Sequence, residues 1–322
     1  KMNVLIADKF EKTGVEQIEA MGCKVIQNPD LSGDTLKEAV AETGCEVLVV
    51  RSTKVPADVL RAAKNLKLVI RAGSGYDTID VSAATERNIR VCNCPGMNAV
   101  AVAELTIGMM VALDRRIVDN TVDLRKGVWN KKEYSKARGL KGRTLGIVGL
   151  GKIGCEVAQR AAAFEMNILY TDIIDRKDME KEYGLKKVEL DQLLAESDFI
   201  SVHVPGGEGT KHIIGEAELA KMKLTACILN CARGGTVDEK ALARAVEAGK
   251  VGGAGLDVYE IEPLATDKDF ADPVVQSPRV YGTHHIGAST DQAQSAVADE
   301  TVRIIKNYKD SGQFINCVNM PA

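Results

Sequence analysis

Three short segments in the second half of the chain carry side chains able to hold an anion and move a proton. ILNCARGG supplies the guanidinium of Arg233, GLDVYEIEP the carboxylate of Glu262 just before Pro263, and VYGTHHIGAST the imidazoles of His284 and His285. A planar guanidinium grips a carboxylate with two parallel bonds and polarises a neighbouring carbonyl. An imidazole titrates near neutral pH and can exchange a proton with a developing alkoxide. A carboxylate bonded to the far ring nitrogen fixes the tautomer and favours the protonated form. These are the groups that hydride transfer at the carbon of a 2-oxo acid requires. Taken singly, each has an ordinary reading as an ion-pair partner, a loop acid or a turn residue. Their shared placement after strands gives them weight.

The most specific local pattern is KGRTLGIVGLGKIGCEVAQRAAAF, an apolar strand running straight into Gly149, Gly151 and Gly154 and then into an alanine-rich helix. Gly149 permits the tight turn, Gly151 lets backbone approach a pyrophosphate, and Gly154 lets helix and strand pack closely. The helix N-terminus adds N–H groups and a partial positive charge. Lys152, just inside the helix, is placed to neutralise pyrophosphate. The following strand, NILYTD, ends at Asp172, where a carboxylate accepts bonds from an adenosine ribose. An acid there would repel a 2′-phosphate by up to about 4 kcal/mol, so the pattern favours NAD over NADP.

These segments need a scaffold, and the chain has room for one. At 322 residues it predicts two domains. With 42 basic and 45 acidic residues the formal charge is −3, which excludes a global cationic field for nucleic acid or an anionic membrane. Eight cysteines stand as singles or near-pairs with no CxxC doublet, so the expectation is reduced thiols, no metal and a cytoplasmic protein. The most apolar run, residues 99–113, is interrupted by Glu104 and is too short to span a bilayer. Short β-branched runs at 3–7, 24–26, 46–50, 68–71 and 90–91 alternate with helical patterns. One long helix is expected from residue 99 to near Gly127. A second alternating set has strands at 144–148, 168–171, 199–202, 227–230, 253–256 and 280–282. A last helix over 290–308 is expected to return to the first domain. The fold class is therefore α/β with two doubly wound parallel sheets. A Rossmann-like nucleotide domain (99–287) is inserted in a flavodoxin-like substrate domain (1–98 plus 288–322), with a cleft between them.

GLGKIG, NCARGG, DVYEIEP and HHIGAST, in this order and spacing, resemble the NAD-dependent D-2-hydroxyacid dehydrogenase family over nearly the whole chain. The resemblance implies a catalytic set of Arg233, Glu262 and His285, with His284 only a neighbour. It implies that His203 to Pro205 line an adenine pocket, that Thr210 lies beside the cofactor and that Asp257 approaches the nicotinamide carboxamide. Ile153, Cys231, Ala232 and Gly287 join the implied cofactor contacts. In the first half, VVRSTKV and RAGSGYDTID resemble the phosphoglycerate-oxidising members of the family. Arg51, Ser52, Arg71, Gly73 and Asn98 are then implied for a phosphorylated 2-hydroxy acid, and Lys131 for a contact in the partner's site of a homodimer. The residues after the last helix leave no space for a regulatory domain, so inhibition by serine through one is not expected. Hydroxypyruvate or glyoxylate reduction and an NAD-sensing corepressor are the competing readings.

Overall fold

The protein is described here by a computed structural model covering residues 1–263 and 269–320. It divides into two compact units, Lys1–Asn98 with Ser289–Ala322, and Ala99–Ala288.

The first unit holds strands β1 (Asn3–Ile6), β2 (Lys24–Gln27), β3 (Val47–Val50), β4 (Leu68–Arg71) and β5 (Arg90–Asn93). They form an all-parallel sheet in the order β2-β1-β3-β4-β5. The sequence of β3, VLVV, is buried along its whole length, as a strand covered on both faces must be. Alternate residues feed two cores: Leu5, Leu48, Val50, Val69 and Val91 on one face, Val4, Ile6, Val47, Val49 and Ile70 on the other. The helix Asp291–Ser311, capped by Thr290, packs Val297, Ile304 and Ile305 into the second of these.

The second unit holds β6 (Thr144–Val148), β7 (Asn167–Thr171), β8 (Lys186–Lys187), β9 (Phe199–Val202), β10 (Cys227–Asn230), β11 (Gly253–Leu256) and β12 (Val280–Gly282). Their order is β12-β11-β10-β9-β6-β7-β8, again all parallel. Both sheets are doubly wound. Each therefore has a point where strand order reverses, between β1 and β3 and between β6 and β9, and ligands bind outside the carboxyl ends of such strands.

Two elements differ from expectation. The helix after Asn98 is not continuous to Gly127: it ends at Arg115, and a second helix, Ile117–Arg125, follows. Arg116 between them adopts a left-handed backbone (φ 50°), which costs about 1–2 kcal/mol and cannot continue a right-handed helix. Its side chain is anchored to Asp119 at 2.9 Å and Glu133 at 2.6 Å, over the ring of Tyr134. Strand β8 is two lysines at a sheet edge, without the apolar pattern that marks the other strands. Among the described residues no helix is long and apolar enough to cross a membrane, and no group of three or more His, Cys, Asp or Glu side chains stands ready for a metal ion.

Candidate active site and cofactor site

The loop after β12 is wrapped around one carboxylate. Asp257, buried at the end of β11, accepts from Thr283 Oγ1 at 2.6 Å, from the Ile286 N–H at 2.8 Å and from the Gly287 N–H at 2.8 Å. His285 sits inside this wrap in a left-handed backbone conformation (φ 53°), uncommon for a non-glycine residue and held here by the flanking bonds. Its side chain is 50% exposed, and its Nδ1 lies 2.8 Å from Glu262 Oε2. Nε2 is thus the ring nitrogen left for a substrate. His285, not His284, is the ring set against Glu262.

Glu262 is itself fixed, because its Oε1 accepts the Tyr259 N–H at 3.1 Å. Burial pushes its carboxyl up, but the His285 bond and charge, the Tyr259 amide and the nearby Arg233 charge outweigh that and hold it below the usual range. It is a carboxylate at neutral pH. Arg233, after β10, donates from Nη1 to the Ala232 carbonyl at 2.7 Å, and its own carbonyl accepts from Asn230 Nδ2 and Thr236 Oγ1. A Cβ at Gly234 would stand 1.8 Å from the Tyr259 carbonyl oxygen. Only glycine lets the Arg233 loop press against the 257–262 loop.

Beneath that loop is a residue the sequence reading missed. Glu239, buried in the first turn of the helix Glu239–Glu247, accepts the Glu260 N–H at 2.6 Å. Burial, together with the Asp272 and Glu260 carboxylates, pushes its carboxyl up to about 7. The available signal was the acid pair in GTVDEKAL, in which Asp238 caps the helix by accepting from the Ala241 N–H at 2.9 Å.

The glycine turn lies at the β6/β9 reversal. Gly149 has φ 94° and donates its N–H to the Thr171 carbonyl at 2.9 Å. A Cβ at Gly154 would meet the Gly149 carbonyl at 2.3 Å, whereas one at Gly151 would meet nothing within 4 Å. Open space therefore adjoins Gly151 at the start of the helix Lys152–Ala163, whose first turn contains Lys152 and Ile153. Asp172 accepts the Leu150 N–H at 2.5 Å and the Ile174 N–H at 2.9 Å, so the acid after β7 also shapes the turn. These residues fit a dinucleotide, with pyrophosphate at the helix N-terminus and ribose at Asp172.

His203 takes its place through the backbone: its N–H donates to the Val148 carbonyl at 2.7 Å, while the ring is buried with Nε2 2.7 Å from Ser201 Oγ. Burial pushes this imidazole down to about 4, so it is neutral and unsuited to proton exchange near pH 7. Pro205 accepts at its carbonyl from Thr210 Oγ1 at 2.5 Å. Cys231 and Ala232 are buried, with Cys231 Sγ 3.7 Å from Met109 Sδ.

In the first unit, Arg51 and Ser52 follow β3, and Arg71 closes β4. The Arg71 guanidinium lies over Gly73, where Nη1 would be 1.5 Å from an added Cβ. Arg51 Nη2 donates to Ser289 Oγ at 3.2 Å. Asn98 Oδ1 accepts from Ser74 Oγ at 2.6 Å. Asp8, after β1, is the second residue missed: it accepts the N–H groups of Arg51 (2.6 Å), Ser52 (3.2 Å) and Thr53 (3.2 Å). Lys131 is exposed at the start of the short helix Lys131–Tyr134 of the second unit.

A doubly wound sheet with a glycine turn, an acid after the next strand and an imidazole bonded to a carboxylate is the scaffold of a nucleotide-dependent dehydrogenase. Residues 107–287 match the D-isomer specific 2-hydroxyacid dehydrogenase NAD binding domain. A D-3-phosphoglycerate dehydrogenase of Methanocaldococcus jannaschii is 42% identical over 99% of this chain, and the chain spans 60% of that relative's length. A hydroxypyruvate reductase of Thermotoga maritima is 45% identical over 97% of this chain and 99% of its own. The crystal structure of a glyoxylate reductase from Paecilomyes thermophila superposes with a TM-score of 0.87 at 32% identity, covering 99% of this chain and 98% of that one. The chain belongs to the D-isomer specific 2-hydroxyacid dehydrogenase family, and its cofactor is NAD.

Proposed function

We propose that this protein oxidises D-3-phosphoglycerate to 3-phosphohydroxypyruvate in the cytoplasm, with Arg233, Glu262 and His285 as its catalytic residues. The observation that carries the chemistry is the 2.8 Å bond between His285 Nδ1 and Glu262 Oε2. Glu262 holds the imidazole with Nε2 toward the substrate, and Nε2 takes the hydroxyl proton from C2. Charge on the resulting imidazolium is balanced by the Glu262 carboxylate. Arg233 binds the substrate carboxylate and draws electron density from the C2 oxygen. NAD, when bound, accepts the hydride. Gly149, Gly151, Lys152, Ile153 and Gly154 hold its pyrophosphate, and Asp172 its ribose. His203 and Pro205 would line its adenine, Asp257 would approach its nicotinamide carboxamide, and Thr210, Cys231, Ala232 and Gly287 would be further contacts. In the reverse direction His285 is the acid.

The phosphorylated substrate is supported by two arginines at the ends of neighbouring strands β3 and β4, Arg51 and Arg71, and by the archaeal relative's name. Ser52, Gly73 and Asn98 complete that subsite. A homodimer is supported by exposed apolar side chains around the helix Ile117–Arg125, including Ile117, Leu124 and Trp129, with Lys131 beside them serving the partner's site. A single light-scattering mass at micromolar concentration equal to one chain would remove the dimer.

The second reading is hydroxypyruvate reduction, favoured by the Thermotoga relative that matches end to end. NADH formation at alkaline pH with a carbonyl trap separates them, with D-3-phosphoglycerate assayed beside D-glycerate and D-lactate. Saturation with phosphoglycerate alone is expected. Arg71→Ala should then raise the phosphoglycerate KM at least about tenfold, as expected for one lost charged hydrogen bond, with little change for glycerate. Turnover confined to the unphosphorylated acids would move the function to the reductase.

A further inference from the structure

Of the eight cysteines, Cys92 and Cys317 alone oppose each other across a backbone bridge. Cys92 is the third residue of β5, and the segment following the last helix returns antiparallel along that strand, with Cys92 and Cys317 as direct partners. The flanking bonds run from the Asn93 N–H to the Asn316 carbonyl at 3.3 Å and from the Val318 N–H to the Val91 carbonyl at 2.8 Å. Neither cysteine exchanges backbone bonds with the other, so they form the closely spaced kind of antiparallel pair, with Cα atoms about 4.5 Å apart and side chains on one face. A disulfide spans Cα separations of roughly 4.4–6.8 Å, so this pair can close without moving the backbone. Burial, and then Cys317 beside it, push the Cys92 thiol up. Cys92 is fully buried, whereas Cys317 is partly exposed with Sγ 3.3 Å from Asn319 Oδ1.

We propose that Cys92 and Cys317 form a reversible disulfide under oxidative stress, tying the returning segment to the edge of the first sheet. The oxidant is hydrogen peroxide. The Cys317 sulfur attacks the outer peroxide oxygen, the O–O bond breaks, and a sulfenic acid and water are formed. The Cys92 sulfur then displaces the sulfenic oxygen: the S–S bond forms, the S–O bond breaks, and the Cys92 proton leaves with that oxygen as a second water. Two thiols lose two electrons, and one hydrogen peroxide becomes two waters. The partly exposed thiol reacts first and the buried one resolves it, the division of labour expected from exposure. Thiol reductants reverse the step, and a transient bond of this kind is compatible with a reducing compartment.

The bond would stiffen more than the tail. Asn93, next to Cys92, donates from Nδ2 to the Ser74 carbonyl at 2.6 Å, and Ser74 Oγ holds Asn98 and the Gly96 N–H. The tie therefore lies behind the segment that carries Gly73 and Asn98. Asn319 on the other side accepts the Val91 N–H and donates to the Ile89 carbonyl, so the returning chain is already in register before oxidation.

The test treats the reduced, full chain with hydrogen peroxide, blocks remaining thiols under denaturing conditions and maps disulfide-linked peptides by mass spectrometry. A Cys92–Cys317 linked peptide is expected, lost on reduction, with the intact chain lighter by two hydrogens. The oxidised protein should melt several degrees higher than the reduced one, and Cys317→Ser should abolish both the link and the shift. Cys92→Ala serves as a second variant, in which Cys317 should stop at the sulfenic acid and be trapped by a dimedone probe. A link from Cys317 to Cys94, two residues along the same segment, would overturn the pairing. Over-oxidation of Cys317 in the wild-type chain without any linked peptide would overturn the proposal.

Discussion

The two sheets reverse strand order in the same way but treat the reversal oppositely. At the β1/β3 reversal the chain supplies its own anion: Asp8 accepts from three consecutive amides, those of Arg51, Ser52 and Thr53. At the β6/β9 reversal the corresponding space beside Gly151 is open, and the carboxylate there, Asp172, braces the turn from the side through the Leu150 and Ile174 amides. One topology thus offers an anion two different surroundings. Where backbone amides are already satisfied, an external anion must be met by side chains, and Arg51 and Arg71 stand at those strand ends. Where they are open, a helix N-terminus and its N–H groups receive a pyrophosphate directly.

The largest test of this division lies in the second unit. His285→Ala should lower turnover by about 10² to 10⁴, the range for loss of a general acid–base group, while the dissociation constant for NAD stays near the wild-type value. Stopped-flow turnover and fluorescence titration of NADH measure the two separately. Unchanged turnover would remove His285 from the chemistry, and loss of nucleotide binding would mean that the loop after β12, not the imidazole, was the damaged part.

A smaller effect is expected at the other reversal. Asp8→Ala leaves three amides, two of them partly buried, without their acceptor and should destabilise the protein by about 2 kcal/mol, read from the urea midpoint. It should raise the KM for the acid substrate without changing NADH affinity. If NADH affinity fell in step, the two reversals would not act independently.

The sequence made one side of this comparison far more legible than the other. The glycine turn is local: strand, glycines, helix and Asp172 fall within about 30 consecutive residues, so their types and spacing reveal them. The strands other than β8 were equally readable, because a parallel strand covered on both faces is an unbroken apolar run such as VLVV. What could not be read depends on contacts between distant residues. Asp8 meets Arg51 across 43 positions, and Asp257 folds the 283–287 loop from 29 positions away; the choice of His285 over His284 came from the family resemblance and not from the residues themselves. The break at Arg116 was hidden for the same reason. Nothing between Ile107 and Leu124 forbids a helix, and the left-handed turn is held by Glu133, 17 residues on.

Glu239 offers the finest test, because it supports the loop bearing Glu262 through a bond from the Glu260 N–H. Its carboxyl, buried and facing Asp272 and the Glu260 carboxylate that His212 also approaches, is raised from 4.5 to about 7. A raised carboxyl binds its proton more tightly in the folded chain. Its contribution to stability is therefore full below about pH 4.5 and is lost as pH rises through about 7. Glu239→Gln keeps an oxygen for the Glu260 N–H and never ionises, so the variant should gain on the wild type between pH 5.5 and 8 by at most about 2 kcal/mol. Urea unfolding of both proteins at the two pH values reads the difference. Turnover of the Gln variant should stay near wild type while Glu239→Ala, which strands the amide, loses activity at every pH. Parallel stability profiles for wild type and Gln would mean that Glu239 is already ionised at pH 5.5. The loop bearing Glu262 would then rest on a charged acceptor, as the Arg51 loop rests on Asp8, and the contrast between the two units would narrow to the glycine turn alone.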